Sequence, residues 1–118
     1  MQQKTILIVD DDPVTLKMLD NHLREAGYRV VQAKDGETAV RLARRKQPDL
    51  VILDIMMPGM DGGDVAQTLR DHPATAEIPV VFLSSLITRT VERRPDQVLL
   101  GKPYNHADLL QVVGEETV

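Results

Sequence analysis

Thr5-Ile6-Leu7-Ile8-Val9 runs without a break into Asp10-Asp11-Asp12-Pro13, and this stretch decides the fold. The five apolar residues are continuous, not alternating, as strands are when a parallel sheet is covered on both faces. Three further runs read the same way: Leu50 to Leu53, Val80 to Leu83 and Val98 to Leu100. A weaker one, Tyr28 to Ala33, follows a helix-ending Gly27. Helical patterns lie between them. Asp12 and Pro13 make a helix start, a capping carboxylate followed by a proline whose missing N–H costs nothing there. That helix places Leu16, Leu19, Leu23 and Ala26 on one face and ends at Gly27. A second spans about Glu37 to Lys46, before Pro48, and a third Gly63 to about Arg70, before Pro73. A weak fourth lies within Leu86 to Arg93, closed by Pro95, and the last begins near Asn105 and carries Leu109, Leu110, Val112 and Val113. Strand and helix alternate, so the expected class is α/β, a doubly wound sheet with right-handed crossovers.

The 118 residues fit one domain, 1–118. With 42% hydrophobic and 27% charged residues the chain can bury one real core. A formal net charge of −4 argues against general affinity for nucleic acid or an anionic membrane surface. The absence of cysteine excludes disulfides, thiolate metal sites and a cysteine nucleophile, and is compatible with the cytoplasm. No apolar run reaches the roughly 20 residues of a membrane span, and the N-terminus does not read as a signal peptide.

In doubly wound sheets, sites form at the carboxyl ends of the strands. There the sequence places Asp10-Asp11-Asp12, then Asp54, then Ser84 and Ser85, and finally Gly101-Lys102-Pro103. Carboxylates gathered at one rim repel one another unless a cation sits among them. Mg²⁺ suits such a place, since it uses one or two carboxylates and keeps positions open for phosphate oxygens. A carboxylate nucleophile, a metal, a lysine and a hydroxyl suffice for phosphoryl transfer, which needs positioning and charge neutralisation more than covalent help.

Ile6 to Asp12 resembles the first strand and acidic pair of the response-regulator receiver domains of two-component systems, the CheY-like family. Leu53-Asp54-Ile55-Met56-Met57-Pro58-Gly59-Met60-Asp61-Gly62 resembles their phosphoacceptor segment, and Lys102-Pro103 their lysine motif. The resemblance implies a flavodoxin-like five-stranded parallel sheet of order 2-1-3-4-5 with helices on both faces. It implies Asp54 as phosphoacceptor, and Asp10, Asp11, Asp54 and the backbone carbonyl of Met56 around Mg²⁺. Asp11 would be the direct carboxylate ligand and Asp10 would act mostly through water. Ser84 and Lys102 would hold the phosphoryl oxygens, and the Lys102–Pro103 bond is expected to be cis. The implied partners are a histidine kinase or histidine phosphotransfer protein and a downstream or covalently linked effector. The implied protein is a cytoplasmic switch, with weak autodephosphorylation, and not an enzyme. It is either a stand-alone receiver or a piece of a larger regulator or hybrid kinase.

Two departures from the family fall on one surface. Leu99 stands where receivers usually carry the aromatic residue that reports phosphorylation. The stretch from Ser85 to Gly101, with Arg89, Arg93, Arg94 and Pro95, is short for a full fourth helix, which is expected to be short, irregular, shifted or absent. Signal is therefore expected to leave by another face, the first or the last helix. Competing functions are a haloacid-dehalogenase-like phosphatase or phosphotransferase with Asp10 as nucleophile, and a receiver-like docking module that does not switch. Against the former, the chain has no room for a cap and no acidic pair after the lysine. Asp61 and Asp64 read as turn and capping residues, and Arg41, Arg44, Arg45 and Lys46 as a solvated helix face. His22, His72 and His106 show no ligand spacing and read as surface residues.

Overall fold

The computed structural model describes residues 3–87, 90–95 and 97–118. Its elements in chain order are β1 (Thr5–Val9), α1 (Pro13–Glu25), β2 (Arg29–Ala33), α2 (Gly36–Lys46), β3 (Leu50–Asp54), α3 (Gly62–Asp71), β4 (Val80–Ser84), β5 (Val91–Arg94), β6 (Gln97–Gly101) and α4 (His106–Glu116). They form one sheet of order β2-β1-β3-β4-β6-β5. The first five strands of that order pair in parallel, and β5 alone runs antiparallel, along the outer edge of β6. The flavodoxin-like arrangement is thus present, with an added edge strand.

Alternate residues of each strand feed opposite layers. Ile6, Ile8, Leu50 and Ile52 pack with Leu16, Leu19 and Leu23 of α1 and Leu109, Val112 and Val113 of α4. Leu7, Val9, Val51 and Leu53 pack with Ala39 and Ala43 of α2 and Val65, Ala66 and Leu69 of α3. Because both faces are covered, the strands carry no polar alternation. Ala26, expected on the buried face of α1, is instead its exposed C-cap. Gly27 follows at φ +96°, a left-handed turn that suits glycine. Asp12 caps α1 as expected, accepting from the Val14 N–H.

The fourth helix expected within Leu86 to Arg93 is corrected. Val91 to Arg94 is a strand, and among the described residues no helix lies between β4 and β6; Arg89 lies outside them. Chain length accounts for this. A parallel connection must run back along the whole sheet, about 16 Å for five residues, which takes roughly eleven helical residues but about five extended ones. The stretch after Ser84 is too short for a helix with two loops, so it returns extended and hydrogen-bonds to β6. The Gly101 N–H donates to the Thr90 carbonyl, and Glu92 lies opposite Leu99. In an antiparallel pair the bonded positions alternate, so Glu92 faces β6 while the Val91 and Arg93 amides point to solvent. Amide exchange is therefore expected to be slow at Glu92 and fast at Arg93. Equal protection at both would indicate a helix and contradict the hairpin.

Candidate functional site

β1 and β3 are adjacent, with Val9 opposite Leu53, and so the residues just past their ends meet. Asp10 leaves β1 with its N–H bonded to the Ala33 carbonyl and its side chain fully buried. Its Oδ1 accepts from the Asp12 N–H, which holds the carboxylate toward the rim. Asp54 closes β3, also buried, and its Oδ1 accepts from the Met56 N–H at 3.2 Å. Asp11 is exposed. Asp10, Asp11 and Asp54 each present a carboxylate oxygen, all within 4.8 Å of one another.

Three carboxylates at this separation need a cation, and Lys102 supplies one. Its ammonium lies 2.8 Å from Asp10 Oδ2 and donates to Asp54 Oδ2 at 3.3 Å. Asp10 Oδ2 is buried and no donor is aligned on it, so its compensation is the ammonium's charge. Burial pulls the lysine's pKa down, but the two carboxylates outweigh this and hold it above its usual value. The Asp54 carboxyl is pushed up, first by burial and then by the charge of Asp10, against the pull of Lys102 and the Met56 N–H. One ammonium therefore leaves the cluster short of positive charge. The donor set, three hard oxygens with a buried oxygen lacking an aligned donor, fits a hard divalent ion.

Ser84 ends β4 buried, its Oγ accepting from the Leu86 N–H, and its carbonyl accepts from the Lys102 N–H. Ser84 and Lys102 are thereby delivered to the same rim by neighbouring strands. The Lys102–Pro103 bond is cis. Leu99 is buried on the α2–α3 side, in the layer with Phe82 and Ile87. Asp61 and Asp64 form a reciprocal capping box at the start of α3.

Three contacts at or near the site were not legible in the sequence. Lys102 pairs with Asp10 as well as Asp54. Gly62 packs so close to the site that a Cβ there would sit 2.5 Å from the Asp54 carbonyl oxygen and 2.8 Å from Ile55 Cα. His22, read as a surface residue, is half-buried, and its Nδ1 lies 2.6 Å from the Tyr104 hydroxyl. Of the other histidines, His106 is exposed and His72 half-buried. Nothing in the spacing marks the His22 pair, because its members stand 82 residues apart.

A family model described as the response regulator receiver domain matches residues 6–113. Among curated proteins, the chain is 46% identical over 81 residues to the response regulator PleD of Caulobacter vibrioides, covering 69% of this chain and 18% of that protein. It is 48% identical over 81 residues to the DNA-binding dual master transcriptional regulator RpaA of Synechocystis, covering 69% of this chain and 34% of that one. The chain thus spans about a third or less of the length of these relatives. Among solved structures, the receiver domain of the sensor histidine kinase PA1611 from Pseudomonas aeruginosa superposes with a TM-score of 0.86 at 27% identity, over 98% of both chains. That structure holds a magnesium ion coordinated in its active site cleft. The receiver domain of the hybrid histidine kinase CckA superposes with a TM-score of 0.83 at 30% identity, over 97% of this chain and 99% of that one.

Proposed function

The chain belongs to the response regulator receiver domain family, and from that premise we propose that Asp54 is its phosphoacceptor and Asp10, Asp11, Asp54 and the Met56 carbonyl its Mg²⁺ site. The observation that carries this reading is the cluster itself: a buried Asp54 flanked by two further carboxylates and bridged by Lys102. An Asp54 oxygen attacks the donor's phosphorus, the bond from phosphorus to the donor nitrogen breaks, and its electron pair leaves with the donor imidazole. The bound metal supplies charge neutralisation for the phosphoryl oxygens. Lys102, drawn from its carboxylate partners, and Ser84 take the remaining oxygens, so one event breaks two ion pairs and makes new contacts at the ends of β4 and β6. The acyl phosphate then hydrolyses slowly at the same site, which is autodephosphorylation and not turnover of a substrate.

The donor in this reading is a histidine kinase or a histidine phosphotransfer protein. Among the described residues, apart from Val118, the exposed large hydrophobic residues are Val14, Met18, Met56 and Leu86. Val14, Met56 and Leu86 follow within a few residues the strand ends that carry Asp10, Asp54 and Ser84, and Met18 lies one helical turn beyond Val14 on α1, an apolar collar suited to docking a donor helix. A groove of about 350 Å³ lined by Met18, Pro103 and Tyr104 continues it. The longer relatives suggest a linked effector, and a cytoplasmic setting goes with such a relay. No described helix is long and apolar enough to cross a membrane.

The test is intact-mass analysis after incubation with phosphoramidate, with and without Mg²⁺. A single Mg²⁺-dependent phosphoryl adduct is expected, absent from Asp54→Asn. An adduct that survives in that variant moves the nucleophile to Asp10, and no adduct in the wild type leaves a docking module.

A further inference from the structure

A polar side-chain link runs from the Lys102 loop to α1 through Tyr104. The loop is anchored before the site by the Lys102 N–H on the Ser84 carbonyl. It is anchored after the site by the Tyr104 hydroxyl on His22 Nδ1 of α1, at 2.6 Å. The His22 ring also meets His106 at the start of α4, with ring centroids 4.4 Å apart and planes 65° to one another. Burial pushes the Tyr104 phenol up, so its hydroxyl stays protonated and available as a donor. When His22 carries its own proton on Nε2, Nδ1 accepts from that hydroxyl. Leu99, by contrast, is an aliphatic core residue with no polar contact to offer.

We propose that His22 is a positioning residue for phosphoryl transfer, holding Tyr104 and through it the Lys102 segment, and that it couples the site to the α1–α4 seam. This rests on the reading of Lys102 as a phosphoryl-oxygen partner. With the anchor in place, the ammonium is held between Asp10 and Asp54 and ready for the incoming phosphoryl group. With the anchor cut, it wanders. Two consequences have opposite signs. A loosened Lys102 competes less well for Asp10, so Mg²⁺ binds more tightly; it also meets the phosphoryl oxygens less often, so transfer slows.

The experiment uses Tyr104→Phe, His22→Leu and His22→Asn, the last returning a polar atom near the Nδ1 position. Mg²⁺ affinity is measured calorimetrically on the unphosphorylated protein, and the phosphorylation rate with phosphoramidate at saturating Mg²⁺. For Tyr104→Phe and His22→Leu, affinity is expected to rise roughly twofold or more and the rate to fall roughly three- to tenfold, the scale of one net hydrogen bond. His22→Asn is expected to restore both. Unchanged Mg²⁺ affinity, or a fall in affinity and rate together with the melting temperature, overturns the proposal, the second result showing a merely structural contact. An adduct persisting in Asp54→Asn overturns the acceptor assignment instead, and the Mg²⁺ titration still decides the link to Lys102.

Discussion

Lys102→Met is expected to destabilise the metal-free protein by about 2–3 kcal/mol at neutral pH, and added Mg²⁺ is expected to recover most of that loss. The substitution keeps the apolar stem and removes the charge. Asp10, fully buried, then loses the cation 2.8 Å from its Oδ2, and Asp54 loses its 3.3 Å donor. Removing one partner of a buried ion pair costs about 3–5 kcal/mol; the lower figure here reflects a lysine that is itself partly exposed. The effect has a definite pH course. Without the ammonium, the folded-state pKa of Asp54 rises further, since burial and the charge of Asp10 are no longer opposed by Lys102. A carboxyl whose folded pKa exceeds its unfolded value destabilises the fold once it ionises. The deficit relative to wild type is therefore small at acid pH and grows as pH climbs past the unfolded value toward the raised folded one. Chemical denaturation at two pH values, with and without Mg²⁺, measures this. A deficit that Mg²⁺ leaves untouched would show that the three carboxylates do not share one cation. Phosphorylation by phosphoramidate should also fall steeply in this variant if Lys102 holds a phosphoryl oxygen as proposed.

Gly62→Ala is expected to cost about 3 kcal/mol and to impair the site out of proportion to its size. The added Cβ would lie 2.5 Å from the Asp54 carbonyl oxygen and 2.8 Å from Ile55 Cα. Both are backbone atoms, so no side chain can swing aside, and overpacking of this kind typically costs about 1–3 kcal/mol. The glycine is also pinned by its N–H on the Ile55 carbonyl. Relief requires the start of α3 to move off the segment that carries Asp54 and Met56, and this displaces the Asp54 carboxylate from its Met56 N–H. A lowered melting temperature together with a weakened Mg²⁺ affinity is the expected result. Wild-type Mg²⁺ binding in a destabilised variant would mean that the loop holds its shape without α3. Gly63, one residue on, serves as the control. A Cβ there meets only an Asp61 side-chain oxygen, at 3.3 Å, so Gly63→Ala should be far milder.

Much of this was legible because it depends on short-range pattern. Unbroken apolar runs ending in Asp10, Asp54, Ser84 and Lys102 set both the parallel sheet and the rim where sites form. Helix starts were read from Asp12-Pro13, and the α1 stop from Gly27, because caps and left-handed turns are local conformational requirements. The weak fourth helix, which the shortness of the segment also allowed to be absent, is replaced by a strand for an equally physical reason. Thr90 to Arg94 has no strong preference of its own, and what decided its state was the distance the chain had to cover and the open edge of β6 waiting to pair with it.

The amino-acid order by itself thus determined the alternating strands and helices and the residue types at the rim, since hydrophobic periodicity and chain connectivity leave few other ways to bury these runs, while the strand order came from the family resemblance. Tertiary structure alone decided that Lys102 bridges two carboxylates, that β5 replaces a helix, that Gly62 touches the Asp54 backbone and that His22 meets Tyr104. Each of these is a contact between atoms far apart in the chain or excluded by a few tenths of an ångström. Such contacts depend on how packed elements are finally seated, which no local pattern encodes.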